Sequence, residues 1–540
     1  MKKKIFSTIE YILIFAALLA VGFYINRNII LKALYMDDLY AWSWIPETNF
    51  FSFCFKFYDN STRYRPFYYV LQYIVFKLIG TNVNMYVPVN IILHTIVGFF
   101  VYYFCKKLNA GIFISFLLSL IYEISHFSYY QIGQAIGIIE TEAQLFALII
   151  LYMTFIYIDT NDEKNDLLYF FILVMLFITS FTHERYIGLF VVVFLAILIK
   201  HLVLIDKNSL IKNRLIKEGL KQSGIRILFL IIDFLIIMVL RYYSIGKIVP
   251  AGTGGTYVED TFTVSKAFQF AIDQVKFIFG MNVGPDYLVG ISFEYIDPLF
   301  RRMVYLSIFM LIVIVLTYLI VKIYDIVLSI KTINNKLIYV LSRFKKDILF
   351  LVFIAMCIGS SSVTIRIEMR FVYVSFTASL LYLAYMSSEI MDISKGMKTH
   401  LMVYNVLFMF IIGFFLTRGA VEIYYRNYYK NIYFFVESDR NNSLVELTID
   451  KYGKEKILDN NTKIYILHNN FGMTDFYAEY FYKIYDEKYI GNKINFINDL
   501  NELPLDANKD NTFVFIEDYT NNVYKEYDVS EFLDTRNIVN

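Results

Sequence analysis

Long apolar runs separated by short polar connections recur along most of the chain. Each is close to the roughly 20 apolar residues that a helix needs to cross a bilayer. About eleven runs are present, near 7–25, 84–104, 111–125, 136–158, 167–182, 186–205, 225–243, 303–326, 347–363, 371–388 and 400–417. The first follows "MKKK" like a signal peptide, but no small-residue cleavage site stands out after it. The pattern therefore predicts an all-α polytopic membrane protein that retains its first span.

Basic residues occupy every second connection and so predict the orientation. Lys and Arg collect in 2–4, 106–107, 200–226, 331–346 and 395–398. The positive-inside rule makes these connections cytoplasmic. The N-terminus is then cytoplasmic, and an odd number of spans places the C-terminus outside. The loops 26–83 and 244–302 face outward, and the predicted location is the inner or plasma membrane.

Two parts of the chain break the pattern of membrane spans. Residues 418–540 are rich in Asn, Asp and Lys and contain the strand-like runs "TKIYILHN" and "NTFVFIED". They predict a small soluble α/β domain after a transmembrane domain of residues 1–417. In the first outward loop, "YRPFYYVLQYIVFKLIG" predicts a helix lying at the membrane interface. A full span there would reverse every later connection, against the positive-inside rule.

Composition agrees with a membrane protein. Of the 540 residues, 58% are hydrophobic and 18% are charged, against about 45–50% and about 25% in soluble domains. A net charge of +2 gives no indication of a nucleic-acid partner. The cysteines Cys54, Cys105 and Cys357 are far apart, so no disulfide framework is predicted.

Ionisable and polar residues collect at the predicted outer ends of the spans, where such residues usually serve a site. An aspartate pair alone can be a helix cap, "THERYIG" can be a polar turn, and "RIEMR" can be an ion-pair ladder, because Arg366 and Arg370 are four residues apart. Their shared face predicts a common site. The set is Asp37, Asp38, Arg63, Arg65, His126, Gln131, Glu140, His183, Glu184, Arg185, Arg366, Glu368 and Arg370.

Other polar positions have structural interpretations. Asn90 and His94 lie four apart inside a span and predict hydrogen bonds to a neighbouring helix. Asp233, also inside a span, is interpreted as the buried partner of a polar group. The outward stretch "PAGTGGT" lacks the Lys-Ser/Thr of a phosphate loop and predicts a flexible loop or a mobile lid.

Several short motifs together resemble a known family. An acidic pair follows the first span, and "YRPFYYVLQYIVFKLIG" precedes "VNIILHTIVGFFVYYF", similar to an Arg-Pro element followed by Asn-x-x-x-His. "THERYIG" and "RIEMRFVYV" are similar to a His/Lys-Glu turn and a Glu/Ser-Arg-Tyr/Phe element that open later spans. Over roughly residues 1–390 the chain resembles the GT-C glycosyltransferases, in particular the protein O-mannosyltransferase-like branch and its bacterial relatives. The C-terminal part matches neither the tetratricopeptide array nor the trefoil domain of that branch.

The resemblance implies a GT-C fold and transfer of a hexosyl or pentosyl group, with inversion, from a polyprenyl-phosphate donor to a glycan, lipid or protein hydroxyl. Close carboxylates repel, so one pKa should rise. The resemblance favours Asp37 as the base, with Asp38 orienting the acceptor or supporting the loop. Arginine grips phosphate oxygens with paired hydrogen bonds. The phosphate candidates are Arg65 and Arg370, then Arg63, Arg185 and Arg366, with Glu184, Glu368, His183 and Glu140 supporting them.

Three questions stay open at this point. Two aspartates are a sparse ligand set for a divalent ion, so we expect no obligatory metal and no other cofactor. A transporter or flippase of a lipid-linked sugar, or a polymerase of lipid-linked glycans, is the alternative function. A transporter would place charges along a path near mid-membrane and often contains repeats, whereas here the charges collect at one face.

Overall fold

The computed structural model describes residues 2–46, 48–55, 63–160, 165–207, 214–248, 262–281, 292–332, 336–364, 366–396, 400–428, 433–486 and 494–539. The "PAGTGGT" stretch, and with it the predicted lid, lies outside the described residues.

Each of the eleven predicted spans falls in a long helix. These helices are α1 (Lys2–Ile25), α5 (Tyr86–Lys107), α6 (Ile112–Ile124), α8 (Ile138–Asp159), α9 (Asn165–Thr182), α10 (Leu189–Lys207), α11 (Arg214–Ile245), α13 (Pro298–Ser329), α14 (Lys336–Ser362), α15 (Met369–Ser394) and α16 (His400–Tyr428). Shorter helices lie between them: α2 (Asp37–Trp44), α3 (Phe50–Phe55), α4 (Pro66–Ile79), α7 (Tyr129–Gly133) and α12 (Val264–Ile278). The last span runs past the predicted domain boundary at residue 417.

Fewer than eleven of these helices can cross a membrane by their own length and composition. Eight of the described helices meet that test, or nine if α6 and the segment His126–Gly133, bent by 47°, form one span. In α9, the apolar part Asp166–Thr182 is short. In α14, the first turns carry Lys336, Arg343, Lys345 and Lys346. Charge and length therefore account for the lower count.

The bundle is built around α15. In its apolar window 89% of the residues are buried, against 11% in the windows of α1 and α11. Helices α5, α6, α8, α13, α14 and α16 all contact α15. The peripheral helices therefore turn most of their apolar side chains outward, as lipid-facing helices do.

Ion pairs show which helix ends lie together. Lys106, at the end of α5, lies 3.2 Å from Glu10 near the start of α1. Asp159, at the end of α8, lies 2.6 Å from Lys345 and 2.7 Å from Lys346 near the start of α14. The basic connections thus share one end of the bundle, and the predicted site residues belong to the opposite end.

Of the three predictions for polar residues inside the spans, those for Asn90 and His94 are confirmed. Asn90 Nδ2 donates to the carbonyl of Gln134 at 2.7 Å, and His94 Nε2 lies 2.7 Å from the Tyr373 hydroxyl, which confirms bonds to neighbouring segments. For Asp233 the prediction is wrong. Its Oδ2 is buried without a hydrogen-bond partner in the part of the chain that the structure describes.

The predicted C-terminal α/β domain is present. Strands β1 (Lys463–Leu467), β2 (Asn495–Ile497), β3 (Thr512–Asp518) and β4 (Val523–Tyr527) form a sheet in the order β2-β1-β3-β4. Both strand-like runs of the sequence became strands, β1 and β3, which pair in parallel, and β4 runs antiparallel to β3. Its helices are α17 (Tyr433–Val445), α18 (Lys454–Ile457), α19 (Asp475–Tyr480) and α20 (Ser530–Val539).

This domain docks on the segment that follows α1. Lys32 Nζ lies 2.7 Å from Asp450 and 2.9 Å from Glu446. The Lys32 amide donates to Asn442 Oδ1 at 2.8 Å, and the Tyr485 hydroxyl donates to the Lys32 carbonyl. The domain therefore sits at the same end of the bundle as the predicted site.

The buried ion pair between α13 and α14 is expected to contribute strongly to stability when one partner is removed. Lys322 Nζ lies 2.5 Å from Asp347, which also accepts from the Tyr318 hydroxyl. Lys322→Met should lower the free energy of unfolding by about 3–5 kcal/mol, because it leaves a buried carboxylate unpaired. The double variant Lys322→Met/Asp347→Leu should recover most of that loss. Melting in detergent micelles measures both, with Lys395→Met at the exposed Lys395–Asp392 pair as the control. A double variant less stable than the single one would contradict the prediction.

Candidate functional site

The two adjacent aspartates have different environments. Asp38 is 1% exposed. Its Oδ1 accepts from the Ile136 amide at 2.8 Å and its Oδ2 from the Ala135 amide at 2.9 Å. Asp37, at the first position of α2, is exposed, and its carboxylate makes no hydrogen bond with the residues that the structure describes. Asp38 therefore fixes α2 to the start of α8, while the Asp37 carboxylate stays accessible.

The local backbone fixes this arrangement. Met36, just before α2, has a φ of +49°, in the left-handed region that costs energy for a residue with a side chain. Next to the amides that bind Asp38, Gly137 lies so close to the preceding turn that a Cβ there would be 2.5 Å from the Tyr130 carbonyl oxygen. A glycine is needed for that approach.

Burial raises the pKa of the Asp38 carboxyl to about 7, and the Ile136 and Ala135 amides limit the rise. The charge of Asp37 contributes least. The sequence-based expectation that one pKa of the pair rises is thus met, but repulsion is the wrong main cause. The shifted group is the one already bound to backbone amides.

Arg65 and Glu184 form a bidentate pair that joins the outer loop to the bundle. Arg65 Nε donates to Oε2 at 2.8 Å and Nη2 to Oε1 at 2.7 Å. Both side chains are less than one-tenth exposed. Arg65 directly precedes Pro66, the first residue of α4, so the pair also fixes where that helix begins.

Glu140, in the first turn of α8, is the centre of a second group. Arg185 donates to its Oε2, His183 Nε2 lies 3.6 Å from its Oε1, and Arg370 Nε lies 3.8 Å from the same oxygen. Burial, followed by the charges of Arg185 and Arg65, lowers the pKa of His183 to about 3. His183 is therefore a neutral partner of Glu140.

Glu368 binds two arginines at the start of α15. Arg366 Nε donates to its Oε1 at 2.6 Å, and Arg370 Nε lies 2.5 Å from its Oε2 in an ion pair that lacks hydrogen-bond geometry. The ladder suspected in "RIEMR" exists. The expectation that the ladder follows from the helical spacing of Arg366 and Arg370 is wrong, because Arg366 precedes α15, which begins at Met369.

Arg63 completes the cluster. Burial and the charges of Arg65 and Arg370 lower its pKa, while Glu184 and Asp37 oppose that change. Asp37 therefore lies close enough to Arg63 for their charges to interact. The predicted residues that the structure brings together are Asp37, Asp38, Arg63, Arg65, Glu140, His183, Glu184, Arg185, Arg366, Glu368 and Arg370.

Two outer residues noted in the sequence bind elsewhere. His126 Nδ1 contacts Glu422, and Gln131 Nε2 donates to Gln144 Oε1 at 3.2 Å. Conversely, sequence reasoning missed two aromatic residues of the cluster. The Arg370 guanidinium lies 3.8 Å from the Tyr130 ring centroid, and the Arg185 guanidinium lies 4.2 Å from that of Phe371. In a chain with 19% aromatic residues, neither ring stands out.

The cluster contains five arginines and five carboxylates. The arginines are Arg63, Arg65, Arg185, Arg366 and Arg370, and the carboxylates are Glu140, Glu184 and Glu368, with Asp37 and Asp38 beside them. The Nη groups of Arg370 make no hydrogen bond within the described ranges. These Nη groups can donate to an anion, and the Asp37 carboxylate can accept a proton.

Within the part of the chain that the structure describes, no group of three or more His, Cys, Asp or Glu side chains could hold a metal ion. A reaction without an obligatory metal or cofactor stays a prediction.

Comparison with known proteins adds little to this geometry. No family model and no curated protein matches the chain. Among solved structures, it is similar to ArnT from Cupriavidus metallidurans in the apo state, with 10% sequence identity and a TM-score of 0.41 over 92% of this chain and 86% of that chain. A likeness of this strength decides neither fold nor function.

The two aspartates should respond differently to the same substitution. Asp38→Asn should lower the free energy of unfolding by about 1–3 kcal/mol, because one buried amide loses its acceptor. Asp37→Asn is the matched control and should leave the melting temperature in detergent unchanged. Equal shifts for the two variants would contradict the structural role assigned to Asp38.

Proposed function

We propose that this chain is a membrane glycosyltransferase that moves a sugar from a polyprenyl-phosphate donor to an acceptor hydroxyl at the extracytoplasmic face. The observation that carries the proposal is the exposed Asp37 carboxylate, which makes no hydrogen bond with the described residues, beside a cluster of five arginines. Membrane-length helices supply the surroundings that a lipid-linked substrate needs. The GT-C resemblance of the sequence motifs is consistent with this reaction.

The proposed chemistry assigns one task to each side of the site. Asp37 takes the proton of the acceptor hydroxyl as its oxygen attacks the anomeric carbon. The bond from that carbon to the phosphate oxygen breaks, and its electron pair leaves with the phosphate. Arg370 and Arg63 stabilise the charge that develops on the phosphate oxygens. Attack from the face opposite the phosphate inverts the anomeric carbon.

The remaining charged side chains hold the arginines in place. Glu184 fixes Arg65 with two hydrogen bonds, and Glu140 fixes Arg185. Arg65 and Arg185 are therefore positioning residues, while the Nη groups of Arg370, which make no hydrogen bond with the described residues, are available to phosphate oxygens. This changes the sequence-based order of candidates, which put Arg65 beside Arg370.

The proposed orientation follows the basic end of the bundle. The positive-inside rule puts that end in the cytoplasm, so the cluster and the C-terminal domain face outward. The acceptor is a glycan, a lipid or a protein; nucleic acid is not proposed as a partner.

A transporter or flippase of the lipid-linked sugar is the alternative. Charged residues are not confined to one end: Lys322–Asp347 and Glu123, which accepts from Thr95, lie buried within the spans. Most of these groups pair with one another, whereas Asp37 is accessible. This favours transfer over transport.

The base assignment is tested by donor consumption in proteoliposomes. Asp37→Asn should reduce sugar transfer from an undecaprenyl-phosphate-linked donor by about 10²–10⁴-fold, the usual contribution of a general base. Asp37→Glu should retain part of the activity, and Asp392→Asn, at an exposed position at the other end of the bundle, should retain all of it. Normal transfer by Asp37→Asn would refute the assignment, and donor translocation without consumption would support a transporter.

The phosphate assignment is tested by the donor dependence of the same reaction. Arg370→Ala should raise the KM for the donor at least about tenfold, because a charged hydrogen bond contributes about 1.5–3 kcal/mol. Arg302→Ala, exposed in the first turns of α13, is the control. Arg370→Lys should restore only part of the donor affinity, because lysine lacks the planar group that lies over Tyr130. An unchanged KM in Arg370→Ala would remove this residue from the site.

A further inference from the structure

A narrow cavity lies between α12, α13, α15 and α16 and shares no residue with the Asp37 cluster. It contains about 370 Å³ of empty space, its open side included. Its lining is mainly apolar and includes Ile308, Leu311, Leu380, Leu383 and Phe414, with the guanidinium of Arg418 as the charged group.

Arg418 is buried but incompletely bonded. It is 2% exposed, and its guanidinium lies 5.0 Å from the Phe376 ring centroid. Nε lies 2.7 Å from Glu422 Oε1, yet neither Nε nor Nη2 has a hydrogen-bond partner in the described part of the chain. Gly280 leaves room for it, because a Cβ there would lie 2.3 Å from Nη1. A buried guanidinium with unbonded N–H groups is costly unless a partner binds it.

The charged groups nearest Arg418 also have other partners. Arg426 donates to Asn26 Oδ1 at 2.7 Å and to the Ile124 carbonyl at 2.9 Å. Glu422 accepts from the His126 amide at 2.9 Å and contacts the His126 ring. Glu422 thus divides its contacts between Arg418 and His126, and of the two arginines of α16 it is Arg418 that lines the cavity.

The position of the cavity indicates that a ligand enters from the bilayer. Helices α13 and α16 line the cavity, and only 28% and 39% of the residues in their apolar windows are buried, so both helices lie at the surface of the bundle. Arg418 lies about 15 Å along α16 from Tyr428, at 1.5 Å per residue. The whole helix measures about 43 Å on the same scale, longer than the hydrocarbon core of roughly 30 Å. Arg418 thus lies in the outer half of the bilayer, within reach of a lipid head group.

We propose that this cavity binds a lipid with an anionic phosphate head group, whose phosphate pairs with Arg418 and whose hydrocarbon chain lies along α13 and α15. A phosphate oxygen supplies the acceptor that Nη2 lacks, while Nε stays paired with Glu422, and the apolar lining accepts the chain. A membrane phospholipid and a polyprenyl phosphate share this chemistry. The site is independent of the proposed sugar transfer, because its test measures binding alone.

A matched pair of substitutions on α13 tests whether the cavity is the site. Native mass spectrometry of the full chain in detergent measures binding of phosphatidylglycerol and undecaprenyl phosphate, with phosphatidylcholine and undecaprenol as comparison lipids. Leu311→Trp fills the cavity and should abolish binding of the anionic lipids. Ile312→Trp makes a similar change at a position that is 50% exposed to the outside and should leave binding intact. Equal binding by the two variants, or no anionic lipid bound by the unaltered chain, would overturn the proposal.

Substitution of Arg418 tests the head-group contact. Arg418→Gln should weaken binding of the anionic lipids at least about tenfold, the effect of losing a charged hydrogen bond, and should leave the comparison lipids unchanged. Arg418→Lys should recover part of the affinity. Binding of undecaprenyl phosphate alone would identify the carrier lipid as the ligand, and binding of both anionic lipids would identify a general anionic-lipid site. A uniform loss for all four lipids would refute the charge contact.

Discussion

A charge inside this apolar bundle is stable only where an opposite charge or a hydrogen-bonding group lies within reach. The structure meets that constraint mostly with short, specific pairs. Arg65 with Glu184 and Lys322 with Asp347 are examples, one at each end of the bundle. Pairs of this kind connect segments that are distant along the chain, so the same contacts that neutralise charge also set the positions of the helices.

Where the constraint is not fully met, the chain has groups available for a ligand. Asp37 is accessible and makes no hydrogen bond in the described structure, and Arg370 keeps its Nη groups unbonded although Glu368 and Glu140 surround it. Arg418 shows the same property in the cavity between α12, α13, α15 and α16.

Much of the fold could be predicted from sequence because hydrophobic length and basic connections act locally. The eleven apolar runs coincide with helices, and both strand-like runs became strands. The grouping of site residues also followed, since topology alone puts Arg65, Glu184 and Arg370 at one end. The ion-pair partner of each residue could not be predicted from the sequence, because pairs such as Arg65 with Glu184 join residues 119 positions apart. Likewise, nothing in the sequence distinguishes Tyr130 from the many other tyrosines, or Arg418 from a helix-end arginine.

The position of Asp37 depends on two anchors that the sequence alone would not connect. On one side of α2, Asp38 is held by amides at the start of α8. On the other, Tyr40 packs against Phe476 of the C-terminal domain, with ring centroids 5.9 Å apart, and Lys32 upstream of α2 is bound by that domain. Helix α2 is short, at eight residues, and such a helix has little stability of its own. The C-terminal domain therefore takes part in holding the carboxylate in place, which gives it a positioning role in the proposed reaction.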